Sequence, residues 1–229
     1  MRFNGVRRVV HCSTCGIHGS IEGAPADETY PVRPVGIYEE TKAEGERLAF
    51  ELGAAHGVEV TALRPTPVYG PGDTRLLKLF KLAQRRPLVT IGDGTAGYHL
   101  VHIDDLTDAF ILAGTTPAAA GQAFLIGGPE IPSLNDILKT LSVMNGHAEL
   151  GRVLRIPAKP VWLAGWLCET LCRPLGLAPP LHRRRIEFFI NNRAYDIGKA
   201  KTLLGYAPRV GTEQGLRNTA DWYRSQGLL

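Results

Sequence analysis

Two patterns of apolar and polar residues alternate along the chain: short apolar runs, and longer stretches with a helical repeat. The short runs predict strands at residues 7–13, 58–63, 88–91, 98–103, 123–126 and 152–156. The longer stretches predict helices at residues 38–56, 76–85, 104–112, 134–144, 196–204 and 212–225. A strand, a helix and a second strand within residues 7–63 are typical of a right-handed crossover in a parallel sheet. The pattern therefore predicts an α/β fold.

The helix predicted at 38–56 has an apolar side and ends at Gly57. We expect this side to face the core; it consists of Ala43, Leu48, Ala49 and Leu52. The preceding residues 21–36 contain three prolines, so they predict a loop. Ser133, followed three residues later by Asp136, predicts the capped start of the helix at 134–144.

Residues 160–177 are unusually apolar, with two tryptophans and several leucines. Glu169, Arg173 and Pro174 interrupt this stretch, so it is too short to span a bilayer. One interpretation is a packed core or lid helix. The alternative is contact with a lipophilic substrate or peripheral contact with a membrane surface. A basic run at 182–185 follows, and such a run usually forms a solvated face.

The composition, 44% hydrophobic and 21% charged over 229 residues, allows a globular chain with a sizeable core. The formal net charge of +4 is too small to predict nucleic-acid binding, and it suits an anionic small molecule equally well. Met1 leads into charged residues and not into an apolar signal segment. We therefore expect a cytoplasmic protein with reduced thiols and no integral membrane segment.

Four cysteines occur as two close pairs, which invites a zinc or redox interpretation. Cys12 and Cys15 fall where a predicted strand becomes a loop. Cys168 and Cys172 are one helical turn apart within an apolar stretch. Because no further ligand stands at a suitable spacing, we interpret all four as small buried thiols and predict no metal site.

The most informative chemistry lies near the first predicted helix. Tyr38 and Lys42 are four residues apart, so they share one helix face. Thr14 follows the first predicted strand, which could deliver its hydroxyl beside that face. A tyrosine ordinarily has a pKa of about 10, and a neighbouring ammonium favours the phenolate. A hydroxyl, a phenol and an ammonium at one point suit proton and hydride transfer at a carbonyl.

An ordered set of motifs extends this pattern over nearly the whole chain. The set consists of Ser13-Thr14 with Gly19, Tyr38-x-x-x-Lys42, Arg64-Pro65, Val68-Tyr69-Gly70-Pro71-Gly72-Asp73, Ile91-Gly92-Asp93-Gly94, His102-Ile103-Asp104-Asp105-Leu106, and Lys199-Ala200-Lys201 with Leu204-Gly205-Tyr206-Ala207-Pro208. A lone Tyr-x-x-x-Lys is a weak signal, but the ordered set is specific. It resembles the extended short-chain dehydrogenase/reductases, the NAD-dependent epimerase/dehydratase group.

The resemblance implies a role for each matching residue. Tyr38 is then the general acid/base, Lys42 supports it and bonds the nicotinamide ribose, and Thr14 holds the reacting substrate oxygen. Other implied cofactor contacts are Ser13, Pro65, Thr66, Pro67 and Val68. Implied substrate contacts, besides Thr14, are His18 and Arg75. The resemblance also implies pairing of two chains through the Tyr38–Lys42 helix.

The family's opening Gly-x-x-Gly-x-x-Gly turn, which holds the cofactor pyrophosphate, does not occur in this sequence. We therefore expect the C-terminal part of a Rossmann-like parallel sheet, with a catalytic part at residues 1–130 and a mainly substrate-side α/β part at 131–229, interleaved with the first. The implied cofactor is NAD or NADP. The alternative is a non-catalytic relic that binds a ligand or partner and no longer binds NAD(P).

Departures from the family pattern narrow the substrate. Cys15-Gly16 replace the acidic pair that dehydratases carry after the threonine. Tyr98 and Pro67 replace an arginine and an asparagine that are common in nucleotide-sugar epimerases. With the apolar stretch at 160–177, these departures resemble the 3β-hydroxysteroid dehydrogenase and dihydroflavonol reductase side of the group. The expected function is an NAD(P)-dependent oxidoreductase or epimerase for a small lipophilic or sugar-like substrate.

Overall fold

The computed structural model describes residues 5–23, 25–85, 87–147, 150–172, 174, 176–181 and 183–229, apart from the side chains of residues 184, 185 and 188. These residues form two compact units. The first contains the described residues up to Asp73 together with His99–Ile131 and Arg193–Trp222. The second contains Thr74–Tyr98, Pro132–Asn192 and Tyr223–Leu229. The chain thus leaves and re-enters each unit, and Arg193–Trp222 returns to the first unit.

Strands and helices alternate through most of the chain. The strands are β1 (Arg8–Cys12), β2 (Glu59–Pro65), β3 (Val68–Tyr69), β4 (Leu88–Ile91), β5 (Val101–His102), β6 (Ala123–Ile126) and β7 (Val153–Ile156). The α-helices are α1 (Ile37–His56), α2 (Leu77–Ala83), α3 (Ile103–Thr115), α4 (Leu134–Met144), α5 (Ala158–Cys172), α6 (Arg183–Ile190) and α7 (Thr212–Ser225). Shorter helical turns occur at Cys15–His18, Pro117–Ala119 and Ala200–Leu204.

A parallel sheet in the order β1-β2-β6 forms the centre of the first unit. Cys12 pairs with Leu63 of β2, and Leu63 pairs with Phe124 of β6. Residues 60–65 of the central strand are all buried, whereas β1 at the edge of this sheet is only half-buried over most of its length. Ala109 and Ala113 of α3 lie in one hydrophobic core with Leu63 and Phe124. The predicted α/β fold with a parallel crossover is confirmed.

Helix α1 contacts the sheet through glycine and glutamate, and this corrects the face predicted from its apolar residues. Glu46 and Gly53 are its buried residues, while Leu48 and Leu52 are exposed. A Cβ on Gly53 would stand 2.4 Å from Val60 Cγ2, so glycine lets the helix approach β2 closely. The error arose because the apolar pattern does not show where a glycine permits close backbone packing.

The loop before α1 is tied to the rest of the first unit by backbone bonds. The Ala26 N–H donates to the Ala194 carbonyl at 3.0 Å, and the Asp196 N–H donates to the Ala26 carbonyl at 2.8 Å. Ala26 is buried in a small core with Cys15, Leu125 and Tyr195. The segment lacks regular structure, as predicted, and it is anchored at Ala26 while most of its described residues are exposed.

Several predicted elements match the structure, and others differ for identifiable reasons. The strands at 88–91 and 123–126 and the helices at 134–144 and 212–225 have the predicted bounds. The strand predicted at 98–103 shrinks to β5 because the His99 N–H donates to the Arg193 carbonyl and the Leu100 carbonyl accepts from Gly128. The helix predicted at 196–204 is reduced to a short wide turn at Ala200–Leu204 preceded by two helical residues.

The second unit contains a two-stranded parallel sheet of β4 and β7. Helix α4 begins with the predicted cap, in which Ser133 and Asp136 bond each other's backbone N–H groups. Helix α6 was missed because its sequence begins with three arginines, although Ile186 within it is fully buried. Among the described residues, no helix has both the length and the apolar character needed to cross a membrane.

Candidate active site

The proposed catalytic residues of the first unit gather where its parallel strands end. Strand β1 ends at Cys12 and β2 at Pro65, and the two strands pair in parallel, so their carboxyl ends lie at one edge of the sheet. The Ser13 N–H donates to the Leu63 carbonyl at 2.8 Å, which extends the pairing one residue past β1. Ligands of open α/β sheets bind at such an edge.

Thr14 begins the helical turn Cys15–His18 and caps it with its side chain. Its Oγ1 accepts a hydrogen bond from the Gly16 N–H at 3.1 Å. A hydroxyl has one proton to donate besides its acceptor lone pairs. The cap therefore fixes the position of the Thr14 oxygen at the end of β1.

Gly16 brings the first turn of α1 close to Thr14. A Cβ on Gly16 would stand 3.4 Å from Thr14 Oγ1 and 3.4 Å from Glu39 Cγ, the residue after Tyr38. Lys42, one turn further along α1, donates from Nζ to the Cys12 carbonyl at 2.9 Å. Tyr38 is 51% exposed. The structure thus brings the start of α1, the end of β1 and Thr14 together, as the motif predicts.

A buried ion pair fixes the same face of α1 to β2. Glu46 lies one turn after Lys42, and its Oε1 lies 2.5 Å from Arg64 Nη2. Arg64 Nε also donates to both Glu46 oxygens at 3.1 Å. Burial is the largest single influence on Glu46 and raises its pKa, but the hydrogen bonds from Arg64 and Ser13 together with the charge of Arg64 outweigh it, so the pKa lies below its ordinary value. The pair was missed in the sequence, although Arg64 precedes the Pro65 motif and Glu46 continues the Tyr38–Lys42 spacing.

His18 lies beneath this site and not at its surface. It is 1% exposed, with Nδ1 3.3 Å from the Pro31 carbonyl and Nε2 3.4 Å from Arg64 Nη1. Burial lowers the pKa of His18, and the Arg64 guanidinium adds to the effect. These surroundings favour a role of His18 in holding Arg64 in place, and not the substrate contact predicted for it.

The segment after β2 is held by backbone bonds on both sides. The Thr66 N–H donates to the Ile126 carbonyl at 2.8 Å, and the Pro67 carbonyl accepts from Val101 at 3.1 Å. Val68 pairs with Val101 in the β3–β5 sheet. These bonds place residues 65–68 at the carboxyl edge. The remaining predicted contact, Arg75, is exposed and belongs to the second unit.

The cysteines that invited a zinc or redox interpretation, and the acidic Asp105 at the start of α3, have surroundings other than a metal site. The prediction of four buried thiols is correct for Cys15 alone, because Cys12 is exposed and Cys168 and Cys172 are half-buried. Burial raises the pKa of the Cys15 thiol to about 11. Asp105 accepts the backbone N–H groups of Arg209 and Val210 at 2.8 and 3.1 Å. Within the residues that the structure describes, no three His, Cys, Asp or Glu side chains gather as a metal site would require.

One glycine pattern in the sequence matches the shorter fingerprint Gly-x-Gly-x-x-Gly, at Gly92, Gly94 and Gly97. In the structure it follows β4 and leads into an isolated bridge between Gly97 and Ser133. A pyrophosphate site of this kind requires a helix N-terminus directly after the glycines. These glycines therefore form a turn and not a dinucleotide site.

Comparison with known proteins places this geometry in a family. The NAD dependent epimerase/dehydratase family model matches residues 1–127. The sterol-4-alpha-carboxylate 3-dehydrogenase (decarboxylating) of Saccharomyces cerevisiae is 31% identical over 95% of this chain and 66% of its own length. The 3beta-hydroxysteroid-dehydrogenase/decarboxylase isoform 2 of Arabidopsis thaliana is 30% identical over 95% of this chain and 41% of its own length. The UDP-glucose 4-epimerase of Mycolicibacterium smegmatis is 28% identical over 98% of this chain and 65% of its own length.

Solved structures show the same fold. The UDP-glucuronic acid 4-epimerase of Bacillus cereus in complex with NAD superposes with a TM-score of 0.70 at 25% identity, over 96% of this chain and 62% of that one. The chain spans between 41% and 66% of the length of the three relatives named above. The match over residues 1–127 covers more than half of the chain, including Thr14, Tyr38 and Lys42. The chain belongs to the NAD dependent epimerase/dehydratase family.

Proposed function

We propose that this chain provides the catalytic residues of an NAD(P)-dependent oxidoreductase that acts on a hydroxyl or carbonyl group. The observation that carries the proposal is the position of Lys42, whose Nζ lies 2.9 Å from the carbonyl at the end of β1. This bond brings the Tyr38–Lys42 face of α1 to the strand that leads into Thr14. If these residues were far apart on the surface, they could not act together on one substrate.

The residues present fit the nicotinamide end of the cofactor. An ammonium has three protons, and Lys42 directs one to Cys12, so the others can reach ribose hydroxyls. Ser13 and residues 65–68 lie at the same sheet edge, where their backbone can line the nicotinamide. The glycine turn for the pyrophosphate does not occur among the 229 residues, so the fit concerns this end alone. When bound, the cofactor accepts or supplies the hydride.

Each residue of the set has one task in this proposal. The Thr14 hydroxyl donates to the substrate oxygen and holds it. Tyr38 takes the proton from the substrate hydroxyl during oxidation, or returns it during reduction. The Lys42 ammonium stabilises the phenolate that forms when Tyr38 gives up its own proton. Glu46 and Arg64 do not contact the substrate. They hold α1 against β2, so that Thr14, Tyr38 and Lys42 keep their geometry.

For the substrate, we propose a lipophilic secondary alcohol or the corresponding ketone. The names of two relatives, a sterol dehydrogenase and a hydroxysteroid dehydrogenase, support this class. A UDP-glucose epimerase at 28% identity supports a sugar nucleotide instead. The replacements at Cys15, Pro67 and Tyr98 favour the lipophilic class, because they remove residues typical of enzymes for nucleotide sugars.

The experiment uses the full reading frame that contains this chain. The purified protein is incubated with NAD+ or NADP+ and either a 3β-hydroxysterol or UDP-glucose, while the absorbance of the reduced nicotinamide is followed. Formation of reduced cofactor with the sterol alone supports the proposal. Conversion of UDP-glucose to its epimer without net reduction would move the substrate to the sugar class. If the protein binds neither NAD+ nor NADP+, the oxidoreductase proposal is wrong.

We also propose that two chains pair through α1. Leu48 and Leu52 are 39% and 51% exposed on this helix, and a groove of about 400 Å³ lined by Val32, Ala43 and Phe50 lies beside it. Light scattering should give the mass of two chains, and Leu52→Gln should shift it toward one. A monomeric parent protein would exclude this pairing.

A further inference from the structure

Helix α5 of the second unit exposes the side that its sequence would be expected to bury. Leu163, Trp166, Leu167 and Leu171 recur at helical spacing and are between 44% and 60% exposed. We call these four residues the outer face. The opposite side, at Gly165, contacts α6, since a Cβ there would stand 3.1 Å from Ile186 Cδ1. The apolar outer face is therefore not the surface by which α5 packs in its unit.

The sequence segment that contains α5 and α6 carries a net positive charge. Residues 158–190 contain five lysines or arginines and two glutamates, so this segment carries +3 of the chain's formal net charge of +4. Lys159 is exposed at the start of α5. The Arg183 guanidinium lies 5.3 Å from the centre of the Trp162 ring and pairs with Glu169 at 2.8 Å. Lys159, one turn before Leu163, thus borders the apolar outer face, whereas Arg183 lies on the side of α5 that carries Glu169.

We infer that the outer face of α5 docks on an anionic lipid surface. Leucines and tryptophans on one side of a helix, with lysine and arginine at its border, are the features of helices that lie in the plane of a membrane interface. Tryptophan is enriched at that depth because its ring is apolar and its N–H remains hydrated. Each basic residue near an anionic leaflet adds attraction.

The dimensions of α5 agree with docking and not with insertion. Fifteen residues form a helix about 22 Å long, shorter than the roughly 30 Å hydrocarbon core of a bilayer. Glu169 is half-buried on the side away from the lipid, paired with Arg183. The helix can therefore lie with its four apolar side chains in the interface while its charged groups stay in water or at the headgroups.

The chemistry favours lipid over the other occupants of an apolar face. A second copy of this chain carries the same net positive segment, and like charge on both copies opposes pairing. An anionic surface meets the basic border with opposite charge. The inference does not depend on the proposed function, because a protein without oxidoreductase activity would expose the same outer face.

The test is sedimentation with phosphatidylcholine vesicles, with and without added phosphatidylglycerol. We expect the protein to sediment with the mixed vesicles, to bind pure phosphatidylcholine at least about tenfold more weakly, and to dissociate as salt is raised. Tryptophan fluorescence should shift to shorter wavelength on binding, because Trp162 and Trp166 are two of the three tryptophans of the chain.

Matched variants distinguish vesicle binding through the outer face from nonspecific hydrophobic binding. Leu163→Gln with Leu171→Gln should weaken binding about tenfold for each leucine. Ile111→Gln on α3 is the control, since Ile111 is 59% exposed, as Leu163 is. Lys159→Glu should weaken binding roughly tenfold, whereas Lys139→Glu on α4 should not. Circular dichroism of each variant confirms that the fold is kept.

Three results would overturn the inference. The first is failure of the parent protein to bind mixed vesicles at low salt. The second is binding that Leu163→Gln with Leu171→Gln leaves at the parent level. The third is a parent dimer that the same double variant converts to a monomer, because the outer face would then be covered by a second copy of the chain.

Discussion

Two ion pairs each join a helix to its neighbour, and they differ mainly in burial. In the first unit, Glu46 of α1 pairs with Arg64 of β2, and the two side chains are 8% and 10% exposed. In the second, Glu169 of α5 pairs with Arg183 of α6, with 25% and 38% exposed. Loss of one partner from a buried pair leaves a charge without water, whereas solvent compensates at an exposed pair. The same chemistry therefore fixes the candidate catalytic helix more firmly than the apolar helix.

The largest effect should follow from removal of Glu46. Glu46→Ala leaves the Arg64 guanidinium buried without its carboxylate, so we expect the free energy of unfolding to fall by about 3–5 kcal/mol. Urea unfolding measures this change. Glu44→Ala, which removes an exposed partner of Arg47 on the same helix, is the control and should leave stability nearly unchanged. Equal losses in both variants would show that burial does not distinguish the two pairs.

The close contacts at Gly53 of α1 and Gly165 of α5 should differ in the same direction as the two ion pairs, with the larger loss of stability in the first unit. A Cβ at Gly53 would stand 2.4 Å from Val60 Cγ2 and 2.8 Å from the Val58 carbonyl oxygen, so Gly53→Ala should destabilise the protein by about 1–3 kcal/mol. At Gly165 the nearest atom is the end of a flexible side chain, at 3.1 Å, and alanine favours helix. Gly165→Ala should therefore change stability by less than about 1 kcal/mol. Thermal unfolding of both variants tests the contrast, and a greater loss at Gly165 would contradict it.

Acid should weaken the first unit through His18. Burial lowers the pKa of His18 in the folded protein, so below its ordinary value of 6.5 the unfolded chain binds the proton more readily. Stability is thus lost as pH falls from 6.5 toward the lowered folded pKa. His18→Gln should reduce this loss, measured as the difference in urea midpoint between neutral pH and about pH 5. An unchanged pH dependence in His18→Gln would show that His18 does not contribute.

A small effect is also expected at the partly exposed pair of Glu169 and Arg183. Glu169→Ala removes the partner of Arg183, but solvent and the Trp162 ring remain near the guanidinium. We expect a loss of at most about 1 kcal/mol in the free energy of unfolding, again by urea titration. A loss as large as that of Glu46→Ala would mean that the second unit relies on this pair as strongly as α1 relies on Glu46.

Local signals in the sequence predicted the elements that depend on neighbouring residues. The alternation of strand and helix was sufficient for the parallel sheet, and Ser133 with Asp136 for the start of α4. The pairing of Glu46 with Arg64 could not be read from spacing, because it depends on how α1 crosses β2. The buried face of α1 was wrong for the same reason, since Gly53 packs closely where leucine was expected to lie.

In the candidate site, too, some features could be predicted from the sequence and others could not. Its order along the chain, Thr14 before Tyr38 and Lys42, was readable because family motifs preserve spacing. Two hydrogen bonds could not be predicted, because they depend on the folded geometry. Lys42 bonds the end of β1, and Thr14 caps the helical turn that follows it. The place of His18 beneath Arg64 depends on the loop before α1, whose backbone bonds reach residues far along the chain.

The central claim is that Tyr38 moves the substrate proton, and Tyr38→Phe tests it most directly. Phenylalanine keeps the ring and removes the hydroxyl at a position that is 51% exposed, so the fold should be unchanged. In the full reading frame that contains this chain, we expect kcat for cofactor-dependent oxidation to fall by about 10²–10⁴-fold. Tyr30→Phe, a tyrosine in the loop before α1, is the control and should retain the parent rate. A near-normal rate in Tyr38→Phe would contradict the assignment.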